Sequence, residues 1–366
     1  MKIAILGTRG IPNNYGGFEQ CAENLSVGLV ENGYDVTVYS IDSHPYQSKI
    51  FKGVNIIKKY CPENKIGSAA HFIYDFICLK DALKKDFDVI FEFGYQSVAI
   101  SFALLPTKKS VIVTNMDGLE WKRAKWSPFV KKLTKWFEKL ASEKSTFLIS
   151  DNKGIQDYIK QKYNKESVMI PYGADKVNPK KEFLTKYNVT IQDYFLLIAR
   201  LEPENNIEMI LDGYLSSESP TRFLVVGNTE TPYGKYLMDK YIQTDIVFLG
   251  SIFNKEHLDS LRKFAKVYFH GHSVGGTNPA LLEAMAAKAF IFAHNNVFNR
   301  DVLEDNAFFF KNSNEVQHLL NCLKDIEKSK KEKISNNSIK IDNEYSHKNI
   351  TNQYQKNNNT NSLKSD

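Results

Sequence analysis

The sequence predicts two α/β domains, each built on a doubly wound parallel sheet with helices on both faces. Strand-like runs alternate with helical segments through residues 1–172, and the alternation begins again after residue 173. The strand-like runs are apolar throughout, which is typical of parallel strands that are covered on both faces. The chain has 366 residues, the length of two average domains rather than one.

The first domain, residues 1–172, begins with the strand Lys2–Leu6. A helix follows, in which apolar residues recur at helical spacing between residues 18 and 29, and Gly33 ends it. Further apolar runs predict strands at 36–39, 89–93, 110–114 and 146–150.

Residues 170–175 are predicted to link this domain to the second, residues 173–340. Its strands are predicted at 194–199, 222–227, 246–249, 266–269 and 290–293. A weaker apolar pattern predicts a C-terminal helix at 341–354. Residues 355–366 hold one sizeable apolar side chain, Leu363, and are predicted to be disordered.

Composition and charge exclude several classes of protein. No apolar run approaches the roughly 20 residues that span a bilayer, and the first residues form a strand rather than the apolar core of a signal peptide. The four cysteines are scattered without a C-x-x-C pair, which fits reduced thiols in the cytosol. The net charge of +6 is modest and no nucleic-acid recognition motif is present. We therefore expect a cytoplasmic protein without a nucleic-acid partner.

Residues 122–137 interleave lysines with tryptophan and phenylalanine on a predicted helix. Two interpretations stay open. The lysines and rings could rest on an anionic membrane surface, which would place the protein peripherally on the inner face of the cytoplasmic membrane. Alternatively, the lysines form a solvated basic face and the rings point into the core.

The most informative motif is the glycine loop at 275–278, which leads into a predicted helix with one carboxylate, Glu283. Either Thr277 or Asn278 can cap this helix, and Pro279 is tolerated in its first turn. Backbone N–H groups and the helix dipole suit an anion such as a diphosphate, and Glu283 could accept hydrogen bonds from sugar hydroxyls. The alternative is an ordinary loop with a helix cap.

Three more motifs follow predicted strands, where open α/β sheets bind ligands. A glycine-rich loop at 7–19 carries Arg9 but matches neither G-x-G-x-x-G nor a P-loop. Asp117 and Glu120 follow the strand 110–114, and either could contact acceptor hydroxyls or act as a general base. The alternative is a structural role, such as capping a helix or a turn. Arg200 is placed to meet phosphate or to form a surface ion pair.

His270 and His272 precede the glycine loop and could suggest a metal site. A metal needs about three or four ligands, and no third lies nearby in the sequence. We interpret both histidines as lining a pocket and predict no metal.

Taken together and in this order, these motifs resemble those of the retaining glycosyltransferases of family GT4. That family has the GT-B fold, two Rossmann-like domains facing a central cleft. The strongest likeness is to the DUF1972 subgroup of bacterial rhamnosyltransferases, which assemble capsule and exopolysaccharide. The resemblance covers residues 1 to about 354 and rests on residues 7–12, 15–19, 117–121, 199–206 and 275–285.

The resemblance implies a nucleotide-sugar donor held mostly by the C-terminal domain, and transfer with retention of configuration and without a metal or a cofactor. Arg200 would meet the diphosphate with help from the amides of Gly276, Thr277 and Asn278, and Glu283 would bind the ribose. Asp117 and Arg200 are the predicted catalytic residues. The N-terminal domain would bind the acceptor. Residues assigned to the acceptor or the cleft are Arg9, Tyr15, Gly16, Gly17, Glu120 and His272.

The chain departs from the GT4 pattern at three positions. Gly275 stands where the first Glu of E-x7-E is expected, Asn205 where a Lys often lies, and Met116 where a His is expected. Gly275 and Asn205 are still predicted to line the donor site. A 6-deoxysugar such as rhamnose lacks a 6-hydroxyl and would need fewer polar partners, which fits these losses.

The leading hypothesis is the transfer of L-rhamnose from dTDP-L-rhamnose to a lipid-linked saccharide acceptor in capsular or exopolysaccharide synthesis. Two alternatives stay open: a GT4 transferase that uses a UDP-hexose donor, and a non-catalytic GT-B scaffold in a polysaccharide assembly complex. A transferase must bind and cleave a nucleotide sugar, whereas a scaffold would leave the donor intact.

Overall fold

The computed structural model describes residues 1–107, 110–116, 118–123 and 126–358, and it divides into two compact units. The first unit comprises Met1–Tyr172 together with the segment that begins at His347, and the second comprises Gly173–Ser346. Each unit has its own parallel sheet with helices between the strands, so the predicted α/β class is confirmed. No described helix combines the length and the apolarity that crossing a bilayer requires.

The first sheet has the strands β1 Lys2–Leu6, β2 Asp35–Ile41, β3 Ile50–Phe51, β4 Val54–Lys59, β5 Val89–Phe93, β6 Val111–Asn115, β7 Phe147–Ser150 and β8 Val168–Met169. Their order is β3-β4-β2-β1-β5-β6-β7-β8, and β3 alone runs antiparallel to its neighbour β4. The first three residues of β1 after Lys2 are fully buried, which places this strand inside the unit. Between β1 and β5 the strand order reverses, and ligands bind open α/β sheets at such a point.

The described helices between these strands are α1 Gly17–Glu31, α2 Glu63–Ile66, α3 Ala70–Ala82, α4 Ala99–Leu104, α5 Pro128–Lys144 and α6 Lys153–Tyr163. The sequence analysis missed β3, β4 and β8. Two of these strands have only two residues, and β4 carries Asn55, Lys58 and Lys59 among its apolar side chains. Such short or mixed segments give no continuous apolar run.

The second sheet has the strands β9 Tyr194–Ile198, β10 Arg222–Val226, β11 Ile246–Phe248, β12 Val267–His270, β13 Ile291–His294 and β14 Phe308–Phe310. All are parallel in the order β11-β10-β9-β12-β13-β14, the doubly wound order of a dinucleotide-binding domain. Its helices are α7 Ile207–Leu215, α8 Pro232–Lys240, α9 Lys255–Phe264, α10 Pro279–Ala286, α11 Val297–Leu303, α12 Ser313–Asn321, α13 Leu323–Ile326 and α14 Lys330–Lys340. The strand order reverses between β9 and β12.

Aromatic side chains fix the strands on either side of this reversal. Phe195 on β9 contacts Phe269 on β12 edge to face, with ring centroids 6.0 Å apart. Phe269 in turn meets Phe292 on β13 at 5.5 Å. All three rings are fully buried, and edge-to-face pairs stabilise beyond the area they bury. The strand ends that carry the site loops therefore stand on a rigid base.

The last described helix, α15 His347–Asn358, returns to the first unit. A π-helical turn at Ile341–Tyr345 separates it from α14. Thr351 packs against Gly28 of α1, and the ring of Tyr354 lies 5.3 Å from that of Phe91 on β5. The sequence predicted a helix at 341–354 and disorder from residue 355. Residues 355–358 are helical instead, and residues 359–366 lie outside the described part of the chain.

Candidate functional site

The two loops beside the strand reversal of the second unit are tied together by asparagines. Asn205 is buried, and its Nδ2 donates to the carbonyl of Arg200 at 2.7 Å, while its Oδ1 lies 2.9 Å from Nδ1 of His272. Asn206 Nδ2 donates to the carbonyl of Gly271 at 2.7 Å. The loop after β9 and the loop after β12 thus form one hydrogen-bonded platform. Both polar atoms of Asn205 serve this platform, so its contact with a donor stays a prediction.

Gly271 allows the two loops to approach this closely. A Cβ atom at this position would lie 1.9 Å from the carbonyl oxygen of Asn205, far inside van der Waals contact. Any side chain would push the loops apart. The glycine is therefore required by the backbone contact and not by a turn.

Arg200 presents its charge to solvent from this platform. Its side chain is exposed, and within residues 1–107, 110–116, 118–123 and 126–358 no ion pair or hydrogen bond of its guanidinium is found. The surface ion pair with a neighbouring glutamate that the sequence left open is not formed there. An exposed guanidinium on a backbone held by hydrogen bonds suits bidentate hydrogen bonding to a phosphate.

The loop 275–278 and α10 have the geometry that the sequence predicted for a capped helix. Of the two candidate caps, Asn278 is the one used: its side chain accepts from the backbone N–H of Ala280 at 2.9 Å, and Pro279 begins the helix. Thr277 is buried beside it. Gly276, which is half-buried, completes the loop between Gly275 and Thr277.

Gly275 has a φ of 113°, a conformation that L side chains rarely adopt. It stands where the E-x7-E pattern of GT4 has its first Glu. A Glu in this backbone conformation would be strained. The departure at this position is therefore a change in the path of the loop as well as the loss of a carboxylate.

Glu283 lies on α10 and is held by an arginine that the sequence analysis did not identify. Its Oε2 lies 2.5 Å from Nη2 of Arg262 on α9, and its side chain is 17% exposed. Arg262 is fully buried and also pairs with Asp259 at 3.2 Å. The ion pair joins two residues that are 21 positions apart in the sequence, and no short-range motif signals it.

Three histidines cluster at the ends of β12 and β13. Burial, with smaller contributions from His272, His294 and Arg262, lowers the pKa of His270 to about 3, so this ring is neutral at physiological pH. Burial also lowers the pKa of His294. Within the described residues, no group of three or more His, Cys, Asp or Glu side chains could hold a metal ion.

In the first unit, the loop after β1 forms a small polar cavity of about 190 Å³, lined by Arg9, Asn14, Tyr15, Ile41, Ser43, His44, Pro45 and Glu63. The guanidinium of Arg9 stacks on the ring of Tyr15 at 3.7 Å and is paired with Glu63 of α2. The backbone N–H of Arg9 donates to Glu19 of α1 at 3.0 Å. Glu63 was missed by the sequence analysis because it lies 54 residues beyond Arg9.

The remaining predicted residues of the first unit take several positions. Gly16 precedes α1 and Gly17 begins it, as the glycine-rich helix start predicted. Glu120 accepts from Nε2 of Gln96 at 3.1 Å and is paired with Arg123, so both of its oxygens have protein partners. Asp117, the predicted catalytic carboxylate, lies outside the described residues.

Family comparisons account for both halves of the chain. Residues 1–175 match a domain of unknown function, DUF1972, and residues 180–341 match glycosyl transferases group 1. The chain is a glycosyltransferase. The part of the transferase that matches glycosyl transferases group 1 includes Arg200, Asn205, the loop 275–278, Glu283 and Arg262. A search of curated protein sequences finds no significant match.

Solved structures give the same fold class over nearly the whole transferase. Sucrose-phosphate synthase from Thermosynechococcus elongatus is 15% identical with a TM-score of 0.81, and each chain is covered completely. HepE of Anabaena, solved in complex with UDP and glucose, is 16% identical with a TM-score of 0.74, covering 98% of this chain and 99% of that one. TarM of S. aureus, solved with Fondaparinux, alpha-GlcNAc-glycerol and UDP, is 11% identical with a TM-score of 0.70 and complete coverage of both chains. These likenesses show the fold, the GT-B class of glycosyltransferases.

Proposed function

We propose that the transferase moves L-rhamnose from dTDP-L-rhamnose to a lipid-linked saccharide in bacterial capsular or exopolysaccharide synthesis, with retention and without a metal. The observation that carries the proposal is the loop 275–278 at the capped start of α10, joined through Asn205 to the loop that exposes Arg200. A helix N-terminus and an exposed guanidinium both favour a diphosphate. In this assignment Arg200 stabilises the departing phosphate, whose oxygen can take the proton of the acceptor hydroxyl.

The rhamnosyl assignment is supported by the glycine at position 275. A hexose donor offers a 6-hydroxyl that a carboxylate can bind, whereas rhamnose has a methyl group there. A carboxylate left without a partner at a buried methyl group would cost free energy. Gly275 is buried and carries no such group. The loop therefore suits a donor that is less polar at C6.

The cavity beside Arg9 supports an acceptor site on the first unit. Tyr15 is 67% exposed and offers an aromatic ring, and Arg9 and Glu63 offer hydrogen-bonding groups around it. Apolar surface with a few placed polar groups is the usual composition of a small-molecule site. Asp117 is retained in the proposal as the residue that contacts the acceptor hydroxyl.

A lipid-linked acceptor is supported by one face of α5. Phe129 is 75% exposed, Trp136 51% and Leu133 36%, and these positions share a helix face. Lys132, Lys135 and Lys139 are exposed on the adjoining face. Phe137, by contrast, is buried and packs against Phe72. Within residues 122–137, therefore, Phe129 and Trp136 are exposed as a membrane-facing surface requires, whereas Phe137 points into the core. The exposed stripe with its lysines suits an anionic lipid surface.

The donor is tested by calorimetric titration of the protein with dTDP, UDP and GDP in parallel. We expect dTDP to bind most tightly and Arg200→Ala to weaken its binding at least tenfold, since a charge-assisted hydrogen bond contributes about 1.5–3 kcal/mol. Arg222→Ala is the matched control, because this exposed arginine begins β10 at the amino ends of the strands, whereas Arg200 follows the carboxyl end of β9. Equal weakening by both variants would contradict the role of Arg200.

A UDP-hexose donor is the second candidate, because HepE is described with UDP and glucose bound. Preferred binding of UDP in the same titration would support it and would remove rhamnose from the proposal. Binding of none of the three nucleotides would favour the non-catalytic scaffold.

The membrane surface is tested by sedimentation with vesicles of phosphatidylglycerol and, separately, of phosphatidylcholine. We expect binding to the anionic vesicles alone, its loss in Phe129→Ser/Trp136→Ser, and its weakening by salt. Phe253→Ser is the control, since Phe253 is 89% exposed on the second unit. Equal sedimentation of all variants would contradict the assignment of this face.

A further inference from the structure

We propose that Arg262 is a positioning residue for nucleotide recognition. It fixes one carboxylate oxygen of Glu283, so that the other is held ready for the sugar hydroxyls of the nucleotide. The inference rests on the proposed function, in which α10 borders the donor nucleotide, and it extends that function to a residue with no expected contact to the donor.

The geometry assigns one oxygen of Glu283 to each task. Oε2 lies 2.5 Å from Nη2 of Arg262. For Oε1, no hydrogen bond is found among the residues that the structure describes. The side chain of Glu283 is 17% exposed, whereas the guanidinium of Arg262 is 2% exposed. The carboxylate therefore reaches from the protein interior to its surface, and the arginine holds its inner end.

The buried arginine has a second anion, so its charge does not depend on Glu283 alone. Nη1 of Arg262 lies 3.2 Å from Oδ1 of Asp259, one turn earlier on α9, and Asp259 is itself buried. A buried guanidinium must be paired, and Asp259 supplies that pairing within the same helix. A purely structural role would not require a second, partly exposed carboxylate from α10.

The same arginine is connected to β12. Tyr268, fully buried on β12, lies beside Arg262, and its hydroxyl donates to the carbonyl of Ile198 at 3.4 Å. Ile198 ends β9, two residues before Arg200. Arg262 thus packs between α10 and the strands that carry the platform. This arrangement restricts the rotation of Glu283 before any nucleotide binds, which is the condition for a preorganised contact.

The test measures how much the sugar hydroxyl contributes to binding in the presence and absence of Arg262. The dissociation constants of dTDP and of 2′,3′-dideoxythymidine diphosphate are measured by calorimetry, with UDP and its 2′,3′-dideoxy analogue in parallel. In the wild-type protein we expect the dideoxy analogue to bind about tenfold more weakly, the loss of one hydrogen bond to a carboxylate. In Arg262→Met we expect the parent nucleotide to bind more weakly by a similar factor, and the binding of the analogue to be unchanged. The ratio of the two constants then falls towards one.

Arg262→Lys is a second variant, used in case Arg262→Met does not fold. Lysine keeps the buried charge but lacks the planar fork that reaches two carboxylates, so the ratio is again expected to fall. Glu283→Gln should lower the ratio as well, and the double variant with Arg262→Met should lower it no further. Arg222→Met is the control and should keep the wild-type ratio.

A ratio that stays at its wild-type value in both arginine variants would overturn the inference while leaving the proposed function in place. If both nucleotides bind more weakly by the same factor, Arg262 supports the fold alone. If neither binds more weakly, Arg262 has no part in nucleotide binding. A wild-type protein that binds no nucleotide is a different result, because it rejects the proposed function and this inference with it.

Discussion

Asp75 makes the stability of the first unit depend on pH, and replacing its carboxyl with an amide should remove that contribution. The residue lies on α3 and is 3% exposed, and burial raises the pKa of its carboxyl to about 7 against a weaker opposing effect of Ser97. Glu92 on β5 is 1% exposed, and burial followed by the charge of Asp75 raises its pKa well above the ordinary value. Asp75 thus shares its interior with a second carboxyl.

The magnitude follows from the shift. The folded state binds this proton more tightly than the unfolded state. The contribution of Asp75 to the free energy of unfolding is therefore fully present below the unfolded pKa of 3.8 and is lost as pH rises to about 7. At about 1.4 kcal/mol per pH unit, the total loss is about 4 kcal/mol, of which about 3 kcal/mol falls between pH 4.5 and 7. Asp75→Asn is neutral at every pH and lacks this loss.

Tryptophan fluorescence during urea unfolding is the assay, because all three tryptophans lie at positions 121–136, within the first unit. The free energy of unfolding is measured between pH 4.5 and 7.5 for the wild-type protein and for Asp75→Asn. We expect the difference between them to change by about 3 kcal/mol in favour of the variant as pH rises. Asp86→Asn, an exposed aspartate in a turn, should follow the wild-type curve. Parallel curves for Asp75→Asn and the wild-type protein would refute the reasoning.

Three further changes test the packing around the sites. Gly271→Ala places a Cβ 1.9 Å from a carbonyl oxygen, so it should lower the free energy of unfolding by more than about 2 kcal/mol and abolish nucleotide binding; an unchanged Tm would contradict the close approach. Asn278→Ala removes the cap of α10 and should cost about 1 kcal/mol in urea unfolding, with Asn278→Ser restoring most of it. Glu138→Gln leaves one amide oxygen where a buried carboxylate accepts from three tyrosine hydroxyls, and a loss of about 1.5–3 kcal/mol is expected; equal stability would show that these bonds are dispensable.

The elements that the sequence predicted well are those with a local signal. The strands β1, β5, β9 and β10 lie where continuous apolar runs predicted them, because strands covered on both faces need uninterrupted apolar side chains. The start of α10 could also be predicted from the sequence, since an asparagine before a proline is a strong signal of a helix start.

The features that could not be predicted depend on contacts between distant residues. The pair of Arg262 with Glu283 and the pair of Arg9 with Glu63 join positions 21 and 54 residues apart. No periodicity or capping rule reports such a contact, because it is set by how the helices pack. The conformation at Gly275 was likewise hidden, since a glycine permits a positive φ without requiring one.

The return of α15 to the first unit has a consequence for how the protein is made. The core of that unit contains Ile350 and Tyr354, which are among the last described residues to leave the ribosome. At about 5–20 residues per second, the first unit waits about 10–40 s after residue 172 for its final helix. The second unit, continuous in sequence, can fold during that interval. A nascent chain halted before residue 347 would thus expose unfinished apolar surface at its N-terminal end, which is where chaperones would be expected to bind.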